Sequence, residues 1–230
     1  MKDIVEKKGI ILGKEIDLLR NYPKSKRDLN KRLQEKTQED REIARKFDER
    51  FFDGERRHGY GGFNYQPRFW QPVIPTFQSH WKLSSASSVL DVGCAKGFML
   101  HDLVTLIPGI KVSGIDISEY AISNSMASVK RYLKVANAID LPFKDGTFDF
   151  VISINTIHNL SLNSCKNALR EITRVSNKGS FITVDAYQTL EEKERMIAWN
   201  LTSKTILSVD DWKQLFHDIG YTGDFYWFIP

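Results

Sequence analysis

The stretch VLDVGCAKGF at residues 89–98 constrains the fold of this chain more than any other part of the sequence. Its first residues are mostly apolar and predict a short buried strand, followed by a turn of small residues from Gly93 to Gly97. Residues 98–107 then have the pattern of a helix that a Pro-Gly pair ends. A strand, a glycine-containing turn and a helix form the first unit of an α/β nucleotide-binding sheet. The glycines let a ligand approach the backbone without meeting a Cβ atom.

The acidic residue of this stretch indicates which nucleotide suits the turn. A dinucleotide-binding turn has the pattern G-x-G-x-x-G, because the pyrophosphate lies against N–H groups at the helix N-terminus. Here Ala95 stands between the two glycines, and Asp91 at the strand end would repel a pyrophosphate. A carboxylate at this position favours a cationic ligand such as S-adenosylmethionine, which carries an ammonium and a sulfonium group. An NAD-dependent oxidoreductase is therefore the least favoured alternative.

Two further strands are predicted after this unit. Residues 111–118 predict a second strand that leads to Asp116, whose carboxylate can accept hydrogen bonds from both ribose hydroxyls of a nucleoside. Residues 133–136 predict a third strand, which runs into the sequence NAIDLPF at residues 137–143. The side-chain oxygen of Asn137 can accept from an adenine amino group, while the next backbone N–H groups can donate to the adenine ring.

Polar side chains lie at or just beyond the ends of the fourth and fifth predicted strands, at residues 148–153 and 180–187. Asn155 and His158 follow the fourth strand, and Asp185 and Tyr187 end the fifth. Ligands bind beyond the carboxyl ends of the strands in a doubly wound sheet, so we expect these side chains to face the reacting group. Because unperturbed histidine titrates near neutral pH, His158 is the first candidate for a general base, and Asp185 is the second. The alternative for His158 is a packed histidine that hydrogen-bonds to the backbone.

The N-terminal part, residues 1–85, is predicted to be a helical extension. Residues 1–36 contain too many apolar residues for a disordered tail and predict short helices packed on the main body. Thr37 followed by Asp40 predicts the start of a helix that ends near Asp53.

Residues 56–70, which we call the lid segment, combine three glycines, five aromatic residues and three arginines. One interpretation is a loop that covers the edge of the sheet and holds its arginines in salt bridges. The other is a lid over the ligand, in which Tyr60, Tyr65 and Arg68 reach a carboxylate of the ligand or the acceptor. The sequence alone leaves both open.

Residues 86–230 resemble the class I S-adenosylmethionine-dependent methyltransferases. Residues 91–97 are similar to the first motif of that family, D/E-x-G-x-G-x-G, with Ala95 in place of the middle glycine. Residues 136–143 are similar to its third signature, commonly G-D-A-x-x-L-P-F, with Asn137 in place of the aspartate. The resemblance implies a Rossmann-like, doubly wound, mostly parallel seven-stranded sheet that ends in an antiparallel strand. It also implies methyl transfer by in-line displacement, with S-adenosylhomocysteine as the product.

The resemblance also implies roles for individual residues. The predicted cofactor-binding residues are Asp91, Gly93, Cys94, Ala95, Gly97, Asp116, Ile117, Asn137, Ala138, Ile139 and Asn155, with Tyr60 and Arg68 from the lid segment. The predicted substrate-binding residues are Tyr65, Trp70, Tyr187 and Trp199. Residues 201–205 are expected to border the acceptor pocket, because insertions after the fifth strand often do so in this family.

The acceptor is predicted by exclusion to be a small molecule, such as a sugar or a secondary metabolite, methylated on oxygen or nitrogen. Methyltransferases that act on bases of nucleic acids usually carry Asn/Asp-Pro-Pro-aromatic after the fourth strand, where this chain has Asn-Thr-Ile-His at residues 155–158. The pattern of a metal-dependent O-methyltransferase is incomplete, so no metal is expected. Two alternatives stay open: a nucleic-acid or protein methyltransferase that uses the N-terminal region, and a non-catalytic module that interacts through residues 60–70.

The composition is compatible with a cytoplasmic globular protein of one main domain. The chain has 230 residues, 41% of them hydrophobic, and its apolar runs are too short for a membrane span. Its two cysteines, Cys94 and Cys165, are not expected to form a disulfide, which fits a reducing compartment. The net charge is +4, and residues 1–50 carry 15 Lys and Arg against 11 Asp and Glu, so no basic face is expected near the ligand. A monomer and a homodimer are both compatible with the sequence.

Overall fold

A parallel β-sheet forms the centre of the protein in the computed structural model, which describes residues 13–23, 36–59 and 64–229. The strands are β1 (Ser88–Val92), β2 (Lys111–Asp116), β3 (Leu133–Val135), β4 (Phe148–Ile154), β5 (Ser176–Tyr187), β6 (Leu207–Ser208) and β7 (Asp224–Phe228). The helices are α1 (Gln38–Ala44), α2 (Glu49–Phe52), α3 (Pro67–Trp70), α4 (Ile74–Trp81), α5 (Phe98–Leu106), α6 (Glu119–Ser123), α7 (Leu162–Val175), α8 (Leu190–Trp199) and α9 (Val209–Ile219). The strand order is β3-β2-β1-β4-β5, and both β6 and β7 pair with β5.

Helices cover both faces of the sheet, as a parallel sheet requires. Helices α7 and α9 pack on one face, where Leu90 and Val92 of β1 lie in the core. Helices α4 and α5 pack on the other face, where Val89 lies. Because alternate residues of a strand share a face, the side chain of Asp91 lies on the same side as Val89. The fold therefore places that carboxylate beside α5, at the carboxyl end of β1.

The strand order reverses between β1 and β4, which creates the crevice in which doubly wound sheets bind ligands. This arrangement confirms the α/β class and the mostly parallel seven-stranded sheet predicted from the sequence. Helix α5 also begins and ends close to its predicted position.

The final strand differs from its prediction. Residues 224–228 were expected to supply an antiparallel strand, but β7 runs parallel to β5, with Asp224 opposite Phe181 and Phe228 opposite Asp185. The chain leaves β6, crosses back through α9 and enters β7 in the same direction, because a helical crossover rather than a hairpin joins the two strands.

The N-terminal helices also differ from their prediction. The single helix expected from Thr37 to about Asp53 is divided into α1 and α2, because Phe47 has a left-handed φ of 50° and Asp48 caps a new helix.

Residues 13–23 do not form the short helices that the sequence predicts for this region. Lys14 and Ile16 instead hydrogen-bond to Phe225 along the outer side of β7, and Leu18 is fully buried. The ring of Tyr22 then packs edge-on against Trp70, with 5.1 Å between the ring centroids. The rest of the prediction for residues 1–36 falls mainly on residues 1–12 and 24–35, which lie outside the described residues.

A buried carboxylate holds the first N-terminal helix to the start of the lid segment. Asp40 is fully buried and completes a capping box with Thr37. Its Oδ1 atom lies 2.7 Å from Nε of Arg57 and 3.0 Å from Nε2 of His58. Burial acts to raise the pKa of Asp40, but the hydrogen bonds from Thr37 and Arg57 outweigh it and lower the pKa to about 2.

Within the described residues, no helix has the length and apolar character needed to cross a bilayer.

Replacing Asp40 by Asn should destabilise this N-terminal region by about 2 kcal/mol at neutral pH, because two charge-assisted hydrogen bonds are lost. The matched control is Asp48→Asn, which should be nearly neutral because asparagine is an equally good N-cap. The stabilisation from Asp40 is present above the pKa of an unfolded aspartate, about 3.9. It is lost as the pH falls through about 2. Thermal unfolding and protease cleavage within residues 36–59 measure the effect, and equal losses in both variants would contradict it.

Candidate active site

The turn between β1 and α5 has a backbone that only small residues adopt easily. Gly93 and Gly97 have φ of 89° and 76°, and Ala95 between them has φ of 48°. A Cβ atom on Gly93 would lie 2.1 Å from Oγ1 of Thr156, so the loop after β4 approaches the turn too closely for any side chain there. Ala95, which replaces the middle glycine of the motif, therefore occupies a strained left-handed conformation.

Two carboxylates lie buried at the carboxyl ends of β1 and β2. Asp91 is 4% exposed and Asp116 is 8% exposed. Burial, and to a smaller extent the nearby charge of Asp116, raise the pKa of Asp91 to about 8. Asp116 accepts hydrogen bonds from the backbone N–H groups of Ala95 at 2.8 Å and Ser118 at 2.9 Å, but burial outweighs these bonds and raises its pKa. Two buried carboxyl groups at one site favour a bound cation, because its charge would stabilise their ionised forms.

A cavity of about 190 Å³ lies against Asp91 and the turn. Its lining consists of Trp70, Asp91, Gly93, Cys94, Ala95, Lys96, Phe98, Met99 and Ile154. The predicted residues of the first motif and Trp70 of the lid segment are therefore brought together. Trp70 was predicted to bind the substrate but lies at the cavity beside the motif turn. The thiol of Cys94 is buried, which raises its pKa and keeps it protonated.

The N-terminal helices are attached to both sides of this crevice. The ammonium of Lys96, in the turn after β1, pairs with the carboxylate of Asp53 at the end of α2. The same carboxylate accepts a hydrogen bond from the hydroxyl of Tyr120 at 2.7 Å. On the β2 side, the hydroxyl of Ser118 donates to the carbonyl oxygen of Phe47. These contacts fix α2 over the ends of β1 and β2.

Tyr65 of the lid segment is anchored on α5. The hydroxyl of Tyr65 donates to Oδ1 of the fully buried Asp102 at 2.5 Å. Arg68 is exposed, and its guanidinium carbon lies 4.9 Å from the centroid of the Phe69 ring. Neither side chain is brought to Asp91, and Tyr60 lies outside the described residues.

The loop after β3 uses its polar groups internally. The Oδ1 atom of Asn137 accepts from the backbone N–H of Ile139 at 3.2 Å, so both groups predicted to bind adenine are engaged with each other. Asn137 remains exposed, whereas Ala138 is buried. Ile117 is 53% exposed directly after Asp116 and offers an apolar surface at this end of the crevice.

His158 and Asp185 belong to a buried polar cluster at the ends of β4 and β5. Nδ1 of His158 accepts the backbone N–H of Asp185 at 2.9 Å, so the proton of the neutral ring is on Nε2. Nε2 lies 3.6 Å from Oδ2 of Asp185. Burial lowers the pKa of His158, and the charge of Asp185 only partly opposes it. In this arrangement the neutral ring has no free lone pair for a proton, and the role of His158 as a general base stays a prediction.

The cluster continues into residues 200–205, which we call the clamped segment. Oδ2 of Asp185 accepts from Nδ2 of Asn200 at 2.9 Å and from the hydroxyl of Ser203 at 2.8 Å. The backbone N–H groups of Lys204 and Thr205 both donate to the carbonyl oxygen of His158. On its other side this segment meets α1 of the N-terminal region.

Two arginines of the N-terminal region hydrogen-bond to the backbone of the clamped segment. Nε of Arg41 donates to the carbonyl oxygen of Asn200 at 3.3 Å. Arg45 donates to the carbonyl oxygens of Thr202 and Ser203 at 3.4 and 3.3 Å. The guanidinium groups are thus engaged with the backbone of the protein itself.

The remaining predicted residues lie at the edges of this region. The Oδ1 atom of Asn155, a residue predicted to bind the cofactor, accepts a hydrogen bond from the hydroxyl of Thr183 at 2.8 Å. The ring of Tyr187 lies 5.4 Å from Nζ of Lys193, and the Trp199 ring packs against Phe228. Their roles in binding stay predictions.

Comparison with known proteins decides the family. The family described as "Methyltransferase domain" matches residues 83–220, which is more than half of the chain. The chain belongs to this methyltransferase family. That finding confirms the family predicted from the sequence.

Individual relatives agree with this family. A demethylmenaquinone methyltransferase of Symbiobacterium thermophilum is 31% identical, over 62% of this chain and 59% of that protein. A tRNA (carboxymethyluridine(34)-5-O)-methyltransferase of Arabidopsis thaliana is 29% identical, over 74% of this chain and 40% of that protein. The matches thus span less than two thirds of either relative. The solved structure of the YcgJ protein of Bacillus subtilis shares the fold, with a TM-score of 0.53, 17% identity and coverage of 64% of this chain and 66% of that one.

Several charged residues around the methyltransferase crevice were not predicted from the sequence: Asp53, Lys96, Arg41 and Arg45. A lysine among the small residues of the turn was a signal that could have indicated Lys96. Asp53 had no comparable signal, because its contact with Lys96 joins residues 43 positions apart. The two arginines bond to backbone carbonyls, which no sequence pattern marks.

Replacing Ala95 by Gly should stabilise this methyltransferase by about 1 kcal/mol, because the left-handed strain is relieved. The reciprocal change, Gly93→Ala, should destabilise it by several times as much, since the new Cβ would overlap Thr156. Urea unfolding of the two variants measures both effects. A loss of stability in Ala95→Gly would contradict the strain assigned to this turn.

Proposed function

We propose that this methyltransferase binds S-adenosylmethionine in the crevice beside the β1–α5 turn and transfers its methyl group to a small-molecule acceptor. The observation that carries the cofactor half is Asp91, which is buried and lines the cavity beside the motif turn, with buried Asp116 at the end of the adjacent strand. A site with buried carboxyl groups favours a cationic ligand, and the glycines allow this ligand to approach the backbone.

The residues present fit this cofactor in their chemistry. Asp91 would hold the ammonium of the methionine part, and Asp116 would accept hydrogen bonds from the ribose hydroxyls. The exposed side chain of Ile117 would cover one face of the adenine. When bound, the cofactor supplies a methyl group already activated by its sulfonium, so that in-line displacement needs no further activation of the donor. The protein then has to align the acceptor and exclude water, which the N-terminal helices over the crevice would do.

The contacts of the N-terminal arginines support a small-molecule acceptor. A polymer-binding surface needs cations that are free to reach phosphates. Arg41 and Arg45 instead bind the carbonyl oxygens of the clamped segment, and Arg57 pairs with Asp40. These contacts hold the clamped segment, which we expect to border the acceptor, and they engage the guanidinium groups within the protein, which favours a small acceptor over a polymer.

A nucleic-acid acceptor is the second candidate. The tRNA methyltransferase of Arabidopsis thaliana matches 74% of this chain, a larger share than the demethylmenaquinone enzyme does. Under this alternative, the N-terminal arginines would have to leave the clamped segment to reach phosphates.

Label transfer from S-adenosylmethionine into a size-fractionated lysate of the source cells tests the proposal. We expect label from the methyl group in the low-mass fraction. Asp91→Ala is the control variant, and it should transfer no label because it loses the partner of the ammonium. Label in the polymer fraction would replace the small-molecule acceptor by nucleic acid or protein. Tight binding of S-adenosylmethionine by Asp91→Ala would overturn the cofactor site.

We further propose that His158 acts by positioning Asp185 and the clamped segment rather than by accepting a proton. His158→Asn keeps an acceptor near the place of Nδ1 and should retain most of the turnover with an unchanged pH profile. His158→Ala removes that acceptor and should lower turnover strongly. If His158 is instead the general base, both variants should lose a factor on the order of 10² to 10⁴, and the acidic limb of the pH profile should disappear. Steady-state turnover of the labelled product across pH distinguishes the two roles.

A further inference from the structure

One acidic and one basic residue line the cavity beside the motif turn. Among the described residues that line it, Asp91 is the acid and Lys96 is the base. An amino-acid group carries an ammonium and a carboxylate only a few ångströms apart, so a site that holds both ends needs both signs of charge. The lining therefore matches the methionine part of the proposed cofactor better than it matches a simple cation.

In the present arrangement Lys96 is engaged with the N-terminal region. Its Nζ atom lies 2.5 and 2.7 Å from the two carboxylate oxygens of Asp53. The Lys96 side chain is only 7% exposed, whereas that of Asp53 is 29% exposed. Burial acts to raise the pKa of Asp53, but the bonds from Lys96 and Tyr120 outweigh it and lower the pKa. The ion pair thus joins the motif turn to the end of α2.

The geometry points to a second role for this lysine: we propose that Lys96 binds the carboxylate of the methionine part of S-adenosylmethionine, exchanging Asp53 for the ligand. This inference rests on the proposed cofactor. The lysine side chain suits the exchange because its charge sits on a flexible four-carbon stem. Lys96 is one of the residues that line the cavity along with Asp91, so a ligand bound there lies beside this residue.

The exchange leaves no charge buried and unpaired. Lys96 keeps a carboxylate partner throughout, since the ligand replaces Asp53. Asp53 keeps the hydrogen bond from Tyr120 at 2.7 Å, and its exposed part can be hydrated. The consequence is that cofactor and α2 compete for one ammonium, so binding the cofactor loosens the attachment of α2 to the motif turn.

The alternatives from the lid segment are less suited to this role. Arg68 was predicted to reach the carboxylate, but it is exposed and stacks on Phe69. The hydroxyl of Tyr65 is engaged by Asp102. Lys96 is already at the cavity and needs only to change partner.

The experiment compares S-adenosylmethionine with decarboxylated S-adenosylmethionine, which keeps the ammonium and sulfonium but lacks the carboxylate. Calorimetric titration of the full chain should find the decarboxylated ligand roughly 10- to 100-fold weaker in the wild type. Lys96→Met, which keeps the apolar stem, should weaken S-adenosylmethionine by a similar factor and leave the decarboxylated ligand nearly unchanged.

Asp53→Asn gives the outcome that a purely structural ion pair would not give. Removing the competitor should strengthen the binding of S-adenosylmethionine by roughly threefold to tenfold and leave the affinity for the decarboxylated ligand unchanged. Tyr120→Phe is the matched control, because it removes the other partner of Asp53 but keeps the ion pair, and its affinity should stay within about twofold.

Several results would overturn the proposal. Lys96→Met would do so if it weakened the binding of both ligands equally. Asp53→Asn would do so if it lost affinity for S-adenosylmethionine. Wild-type protein that binds both ligands equally well would remove the role of Lys96 but leave the proposed cofactor. Wild-type protein that binds neither would remove the proposed function itself. If Lys96→Met does not fold, as judged by its thermal unfolding, the wild-type ratio and Asp53→Asn still decide the question.

Discussion

The burial of two neighbouring carboxyl groups, those of Asp91 and Asp116, is the constraint on which the arrangement of this site depends. They end adjacent parallel strands and lie out of water, and the pKa of Asp91 is raised to about 8. Ionising Asp91 in the free protein therefore costs on the order of 5 kcal/mol more than ionising an exposed aspartate. A bound cation, such as the proposed cofactor, would offset that cost.

The surrounding elements share the task of enclosing this charge. The turn after β1 brings backbone rather than side chains to the cavity, with Thr156 pressed against Gly93. Helix α2 is fixed over the crevice by the Lys96–Asp53 pair and by the bond from Ser118 to Phe47. Beyond the ends of β4 and β5, the N-terminal arginines and the Asp185 cluster hold the clamped segment from opposite directions. The crevice is thus covered by elements that are held in place by contacts with its own walls.

The parts that could be predicted from the sequence are those with local patterns. The parallel sheet, the motif turn and the capping box at Thr37 follow from hydrophobic periodicity, glycine spacing and cap residues. The direction of β7 could not be predicted in this way, because a five-residue strand has the same pattern in either direction. The break in the N-terminal helix was missed as well, because the left-handed φ at Phe47 has no glycine to mark it.

The chemistry of individual side chains was predictable only in part. Residue type placed His158 and Asp185 at the right strand ends. Which nitrogen of His158 is free depends on the backbone N–H of Asp185, which is 27 residues away in sequence. Likewise, Asn137 uses its oxygen for its own loop, a choice that residue type does not reveal. Long-range contacts of this kind set proton positions and hydrogen-bond partners, and they require the folded structure.

The most direct test of the buried acid pair is the proton balance of cofactor binding. Calorimetry of S-adenosylmethionine binding at about pH 6.5, in buffers of different ionisation enthalpy, counts the protons released. Asp91 is protonated in the free protein below a pKa of about 8. It must ionise to pair with the ammonium, so close to one proton should be released per cofactor bound, and the release should vanish in Asp91→Asn. Tight binding with no proton release in the wild type would contradict the account.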